Sequence, residues 1–575
     1  MQACLSDPTV QLIGLKATGG FGKSALVRKV SQAISSEQPQ SATNLEGEQS
    51  SANRFEKVLA LSFSQSYPFS LWGRWLMAHF GERIEDATSD AALVQRVVAA
   101  LQQNRVLLIM DNVETLLEAE ARAWKDSGYQ TFLLSWLNES GESTIVLTSR
   151  EQPDIPNNLM RYCRWRSLDG LEQEAGIALL SELGILGKSA ALGAFVQEAQ
   201  GHPLLLKLAA GWLLVEEPND PQLAYLNQEI DGLNLFEFIG AHRGQPEGSV
   251  RKLLEATLAR LPEQMQQLLP ALSLYLRPFS VAAAQQMADD PIAESDLRRL
   301  EKRSLLQSKK LHSTDESVLE QTEESRIRLF EFQPLVQRYL RGIANPADNQ
   351  KAIDYYQQVR KPVLEPTDER AATVAYEEIF YHYCELDDCA SAFATLQAPT
   401  DPQQRYSSCN MVLQLRGYNA VRLTLYERLL KQLVPKDNEE LRLLGDTLQA
   451  LGDVLQFLKR SDDAIANYDQ ALDIYRQVGA RLGEANTLKA LGRLQADVQQ
   501  GIAYLQSAQT LYEQINDIYS QGVNLYYLGI MYAQLQQKKP ALLALQTAAS
   551  LGEQINFAPL VNAARQAIQD LDLND

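Results

Sequence analysis

Residues Ala17-Thr18-Gly19-Gly20-Phe21-Gly22-Lys23-Ser24 follow the apolar run Val10-Gln11-Leu12-Ile13-Gly14-Leu15 and precede Ala25-Leu26-Val27, where a helical pattern opens. Strand, glycine loop, helix is the order of a phosphate-binding loop. A polyphosphate needs several backbone N–H donors converging on it, and residues without a Cβ let the main chain come that close; Gly19, Gly20 and Gly22 supply such places. The helix beginning near Lys23 adds the positive end of its dipole. In such a loop Lys23 reaches the β- and γ-phosphates of a nucleotide, ATP or ADP, and the Ser24 hydroxyl binds Mg2+. Phe21 and Ala25 complete the stretch expected to touch the nucleotide. Ala17 stands where the general pattern has its first glycine, and a methyl group is tolerated there if that residue keeps φ below zero.

A chain of 575 residues is too long for one hydrophobic core, so several domains are expected. No apolar run reaches the roughly 20 residues needed to span a bilayer. The opening Met1-Gln2-Ala3-Cys4-Leu5-Ser6-Asp7-Pro8 lacks the basic and apolar regions of a signal peptide, so a cytoplasmic location is expected. The five cysteines are odd in number and scattered, which suits a reducing compartment. His382, Cys384 and Cys389 lie close together, but on a helical pattern they read as buried small hydrophobes rather than metal ligands. A net charge of −19 opposes the phosphate backbone of nucleic acid, and no basic patch of convincing size offsets it, so DNA is not the expected partner.

Strand and helix signals alternate after the loop. The first helix runs to about Ser36, and residues 37–53 are polar without periodicity, a surface insertion. Val58-Leu59-Ala60-Leu61-Ser62-Phe63 reads as a buried parallel strand, followed by helices around Trp72, Trp75 and Phe80 and through Val94-Gln95-Arg96-Val97-Val98. This alternation predicts a doubly wound parallel sheet. Arg105-Val106-Leu107-Leu108-Ile109-Met110 ends in Asp111-Asn112-Val113-Glu114, which puts a carboxylate at the carboxyl edge of the sheet, where ligands of such folds bind. Asp111 is placed to hold Mg2+, mainly through water, and Glu114, or Asn112 through its amide, to orient an attacking water. Ser143-Thr144-Ile145-Val146-Leu147 ends in Thr148-Ser149-Arg150 and delivers hydroxyls and an arginine to the same edge; Arg150 is a candidate to sense or stabilise the γ-phosphate. Beyond Leu168 the pattern is helical, and Gly201-His202-Pro203-Leu204 fixes a turn before a helix. A lone histidine beside a proline is read as structural.

With these motifs in place, residues 10 to about 340 resemble the NB-ARC module of the STAND class of signalling ATPases. Ala-Thr-Gly-Gly-Phe-Gly-Lys-Ser resembles its phosphate loop, Leu-Leu-Ile-Met-Asp-Asn-Val-Glu its Walker B strand, Leu-Thr-Ser-Arg its sensor strand, and Gly-His-Pro-Leu its Gly-x-Pro turn. The resemblance implies that Pro203 packs on adenine, that ADP is held in a closed resting state and exchanged for ATP on activation, and that the activated chain forms a homo-oligomer. It also implies a winged helix over 246–345, with Leu258-Ala259-Arg260-Leu261-Pro262, Leu297 to Leu306 and Phe332-Gln333-Pro334-Leu335 as its parts. The family uses that domain within the chain rather than on DNA, and the acid-rich stretch 315–324 agrees. The family's histidine at the ADP β-phosphate falls at Gln333, which can donate a hydrogen bond but carries no charge. An upstream segment that covers the adenine in the family would precede Val10, so either the chain is a piece or its effector is a separate protein.

From 346 onward Leu451-Gly452 recurs as Leu491-Gly492 and Leu528-Gly529, each followed by an alanine-rich helix, in the manner of tetratricopeptide repeats. Residues 376–396 and 418–430 look like earlier, degenerate units. The expected architecture is thus multidomain α/β plus all-α: a P-loop NTPase domain at 1–165, a helical domain at 166–245, the winged helix, and a repeat solenoid at 346–575 whose concave face takes a protein partner. The expected function is an ADP/ATP switch with slow hydrolysis. An ATP-responsive transcription regulator and a scaffold with a decayed nucleotide site are the competing readings.

Overall fold

The computed structural model describes the chain apart from residues 1, 6, 8, 18, 37–54, 64–65, 83, 85–87, 119–121, 140, 217–218, 228–245, 311–327, 361–370, 402–403, 416 and 573–575. The polar stretch 37–53 and the acid-rich stretch 315–324 therefore lie outside the described residues. No helix among the described residues is long and apolar enough to cross a membrane. Contacts divide the chain into two compact units, Met1–Ile84 with Asp90–Leu386, and Glu85–Ser89 with Asp387–Asp575.

The first unit is built on five parallel strands: β1 (Leu12–Lys16), β2 (Lys57–Ser62), β3 (Val106–Asp111), β4 (Thr144–Ser149) and β5 (Cys163–Ser167), in the order β2-β3-β4-β1-β5. Side chains alternate between the faces of a strand, and the two cores follow that alternation. Leu12, Leu108, Met110, Ile145 and Leu147 pack with Trp72, Val97, Phe132 and Trp136 from helices Phe69–His79, Asp90–Gln103 and Ser127–Asn138. Ile13, Leu15, Leu107, Ile109 and Val146 pack instead with Val27 of helix Lys23–Ser36. The sheet is therefore doubly wound, as its sequence predicts. Since the helix after β1 covers one face and those after β2 and β3 cover the other, the loop after β1 sits where the chain switches faces, the crevice that ligands of open α/β sheets use. Strand β5 was not foreseen, and it matters to β1: Trp165 pairs in register with Gly14, and a Cβ on Gly14 would lie 2.1 Å from the indole ring.

A continuous core then joins helices Gln173–Glu182, Ser189–Glu198, Pro203–Glu216 and Pro246–Ala259 to a smaller group, helices Glu263–Leu272, Val281–Met287 and Glu294–Lys302 with the antiparallel pair β6 (Leu306–Lys310) and β7 (Arg328–Phe332). Helix Pro334–Arg341 follows β7 directly. The same core takes Tyr355 and Tyr356 of helix Asn349–Val359 and Ile379 of helix Ala371–Glu385. These two helices were expected to begin the solenoid at 346; their apolar and aromatic side chains bury against Tyr275 and Phe279 instead, and the division between units falls after Leu386. The stretch 376–396 is split accordingly between the units.

The second unit carries helix pairs Asn438–Phe457 with Ser461–Val478, Arg481–Leu494 with Val498–Gln514, and Ile518–Gln534 with Lys538–Gln554, closed by Ala558–Asp572. The recurrent Leu-Gly is where each pair touches. A Cβ on Gly452 would lie 2.6 Å from the Tyr468 ring, and one on Gly529 would lie 2.6 Å from Leu545. Ala471, Ala508 and Ala548 are fully buried at the facing helices, so small residues set the interhelical distance and tyrosines fill the gaps.

Candidate functional site

The loop after β1 has the geometry its composition demands. Gly20 and Gly22 hold φ of +86° and +85°, a region closed to most side chains, while Ala17 is absent from the positive-φ residues and its methyl is buried. Gly19 is small for a different reason: a Cβ there would lie 3.1 Å from the Arg150 guanidinium and 3.7 Å from Leu335. Helix hydrogen bonding begins with Leu26 N–H donating to Gly22 O at 2.9 Å, so the amides of Lys23, Ser24 and Ala25 precede it at the positive end of the helix. The Ala25 side chain is exposed on that first turn. Lys23 is buried, and its ammonium donates to Ala17 O across the loop at 2.6 Å.

The acid expected at the sheet edge sits at the carboxyl end of β3, buried, and it is surrounded by hydroxyls. Ser24 donates to Asp111 Oδ1 at 3.0 Å, Ser62 donates to Oδ2 at 3.1 Å, and Thr148 also donates to Oδ1. Asn112 is left-handed at φ 62°, and its side-chain amide donates to Ser62 at 3.2 Å. That hydrogen bond ties the turn after β3 to the end of β2. Glu114 is held by Arg150 at 3.3 Å, with its second oxygen buried and without a hydrogen bond. Arg150 thus lies between Glu114 and Gly19.

Ser24 Oγ and the Asp111 carboxylate stand side by side at 3.0 Å, hard oxygen donors of the kind Mg2+ takes, the hydroxyl suited to direct ligation and the carboxylate to ligation through a bound water.

Two distant segments close on the loop. His202 is fully buried, its Nδ1 accepts from Leu205 N–H at 3.2 Å, and its Nε2 lies 3.1 Å from Gly19 O. An acceptor at Nδ1 leaves the proton on Nε2, which donates to the loop. The ring also meets Phe21 edge-on at 4.4 Å and fills the space beside Gly20, where a Cβ would lie 2.5 Å away. Pro203 sets its ring against Gly22, with Cγ 3.9 Å from where a Cβ would be. From the C-terminal side of β7, Gln333 stands at the N-cap position of helix Pro334–Arg341 without a side-chain capping bond, and Leu335 of that helix lies beside Gly19. In the sequence His202 reads as structural, with nothing to join it to the loop, and Ser62 reads only as the end of a strand. The readable signal for Ser62 was its place at the end of β2, directly in register with Asp111.

The family model for the tetratricopeptide repeat matches residues 443–498. Among curated proteins, an uncharacterized WD repeat-containing protein of Nostoc sp. strain PCC 7120 is 27% identical over 225 residues, 36% of this chain, which spans 16% of that protein's length. Among solved structures, a signal transduction ATPase with numerous domains (STAND) bearing a tetratricopeptide repeat sensor, from Pyrococcus horikoshii, is similar over 98% of this chain and 84% of its own at 15% identity and a TM-score of 0.44. BtubC from P. vanneervenii is similar over 39% of this chain and 86% of its own at 13% identity and a TM-score of 0.25.

Proposed function

We propose that this chain is a nucleotide-dependent signalling switch of the STAND class, binding Mg·ADP and Mg·ATP at the loop after β1 and reading a partner through its tetratricopeptide repeats. The observation that carries the reading is the convergence on one sheet edge of Lys23, the helix-start amides and the Ser24–Asp111 pair at 3.0 Å. In this reading the loop amides and Lys23 hold the phosphates, and Ser24 and Asp111 hold the Mg2+. The bound ion supplies charge neutralisation between the phosphates. Ser62 and Thr148 fix the Asp111 carboxylate so that it meets the ion without reorganising. Pro203 lies at the adenine side, and Arg150 senses the γ-phosphate.

Hydrolysis is slow in this reading, with Glu114, the candidate to orient the attacking water, tied through one oxygen to Arg150 at 3.3 Å. Helix Glu294–Lys302 belongs to a winged helix used within the chain. A Cβ on Gly211 of helix Pro203–Glu216 would lie 2.7 Å from the Arg303 backbone, and Ser304 donates to Lys207 O at 3.2 Å. Arg298 and Arg299 are paired with Glu294 and Asp296. A DNA-reading role therefore has little to rest on, and the switch reading extends to ADP-bound rest, exchange on activation, and association of subunits, acting on a separate effector.

Denaturing freshly purified chain and resolving any released nucleotide by ion exchange tests this. Near-stoichiometric ADP, lost in Lys23→Ala, is the expected result. An empty site that also fails to bind added Mg·ATP would leave a scaffold.

A further inference from the structure

The five-stranded sheet has two edges. At one, β2 carries a single cation, Lys57, whose ammonium donates to His79 O. At the other, β5 and the turn Met160–Tyr162 before it carry Arg161, Arg164 and Arg166 within six residues of a chain whose net charge is −19. Among the described residues none of the three has a carboxylate within ion-pairing distance, whereas Arg105, just before β3, has Glu56 at 2.8 Å and Glu142 at 3.8 Å. Two of them are held in place. The Arg164 guanidinium donates to Arg161 O at 2.8 Å and to Cys163 O at 3.0 Å, and the Arg161 guanidinium lies 4.7 Å from the Tyr162 ring centre. Cys163 and Trp165 turn their side chains to the core that holds Trp72, so Arg164 and Arg166 share the opposite face, about 6.6 Å apart along the strand. The main chain alternates as well. Leu168 N–H donates to Lys16 O at 2.9 Å, which puts residues 164 and 166 in the ladder with β1 and turns the N–H and C=O groups of Trp165 and Ser167 to the open side. Among the described residues those groups have no hydrogen-bond partner, and Arg166 and Ser167 are exposed.

We propose that the open side of β5 is a docking edge for an extended segment of a partner protein in which acidic and apolar residues alternate. The segment adds to the sheet as a further strand. Its main chain pairs with Trp165 and Ser167, its carboxylates meet Arg164 and Arg166 on one face, and the apolar residue between them lies beside Trp165 on the other. This goes beyond the switch reading and requires no nucleotide in the loop. A second copy of β5 does not fit, since it would set arginine against arginine. Nucleic acid is anionic but has no row of N–H and C=O groups to match the edge, and the acidic remainder of the chain repels it. Arg164, by covering Cys163 O, ends the pairing there, so a short segment suffices.

The test uses the full chain and a dye-labelled heptapeptide that alternates glutamate with valine, read by fluorescence anisotropy at low and moderate salt. Comparison probes are the same peptide with lysine in place of glutamate, the same peptide N-methylated along its length, and an oligothymidylate of equal charge. The alternating peptide should bind with salt-sensitive affinity. The Arg164→Gln/Arg166→Gln double variant should weaken it at least tenfold, while Arg96→Gln on helix Asp90–Gln103 leaves it unchanged. Ser167→Pro removes one outward N–H without changing the charge, a substitution that an edge strand tolerates, and should weaken the same peptide at least threefold. Variants are compared at matched circular dichroism, so that a loss of binding is not a loss of fold. No binding of the alternating peptide, equal binding of its N-methylated form, tighter binding of the oligothymidylate, or indifference to either β5 variant would each overturn the proposal. Nucleotide content of the same preparations is read separately, and an empty loop with normal peptide binding removes the switch reading alone.

Discussion

His202 shows how a residue with no chemistry of its own shapes a site. Its single Nε2–H fixes Gly19 O, and its ring occupies the space where a Cβ on Gly20 would go. His202→Ala deletes a buried hydrogen bond worth about 1–3 kcal/mol once the stranded acceptor is counted, so titration calorimetry should show ADP binding weakened about tenfold. His202→Gln, which can present an amide donor, should recover part of that loss. At Asp111 the expectation concerns the metal. Wild-type affinity for ADP should fall when Mg2+ is chelated, whereas Asp111→Asn, lacking the charge, should bind ADP with little difference between Mg2+ and chelator. Lys23, Ser24 and Asp111 were legible because their spacing states a chemical requirement. The histidine was not, because its role depends on a contact between residues 183 positions apart, and nothing local in Gly-His-Pro-Leu records that distance.

Elements were legible where periodicity was strong and illegible where polarity hid it. Strands β1 to β4 are apolar runs whose bounds match the sequence reading to within two residues. Strand β5, Cys163-Arg164-Trp165-Arg166-Ser167, is an edge strand whose arginines face outward, so it lacks the buried-run signature. The glycine contacts between helices give testable element-scale consequences. Gly452→Ala puts a methyl 2.6 Å from the Tyr468 ring and should cost about 1–3 kcal/mol as overpacking, measured by denaturant unfolding. Gly211→Ala gains helix propensity of about 1 kcal/mol but meets the Arg303 backbone at 2.7 Å, which cannot rotate aside. The expected outcome is that helix Pro203–Glu216 parts from Arg303 and Ser304 and that bound ADP dissociates faster, read by displacement with a fluorescent analogue.

At the scale of the whole molecule, the sequence reading starts the repeats at 346, while the chain divides into two compact units after Leu386. Helices Asn349–Val359 and Ala371–Glu385 look like repeats in composition, yet the buried Glu378 pairs at 2.9 Å with the partly exposed Arg277, which ties the latter helix to the core before it. Burial acts to raise the Glu378 pKa while the Arg277 guanidinium opposes it, and removing Arg277 alone would strand a buried carboxylate. Two compact units predict two calorimetric transitions. Mg·ADP at 100 times its dissociation constant should stabilise the first unit by about 2.7 kcal/mol and leave the transition of the repeats in place; a single transition moving as one would contradict this.

Gly14 and Trp165 share one volume. The glycine in the strand that launches the glycine loop lacks a side chain because an indole from the neighbouring edge strand already fills its place. Neither position can drift alone: a larger residue at 14 demands a smaller one at 165, and a shrunken 165 leaves a hole over the loop's own strand. Across descendants of this sequence the two should change together, a paired substitution that marks the edge strand's hold on β1 more plainly than either residue does by itself.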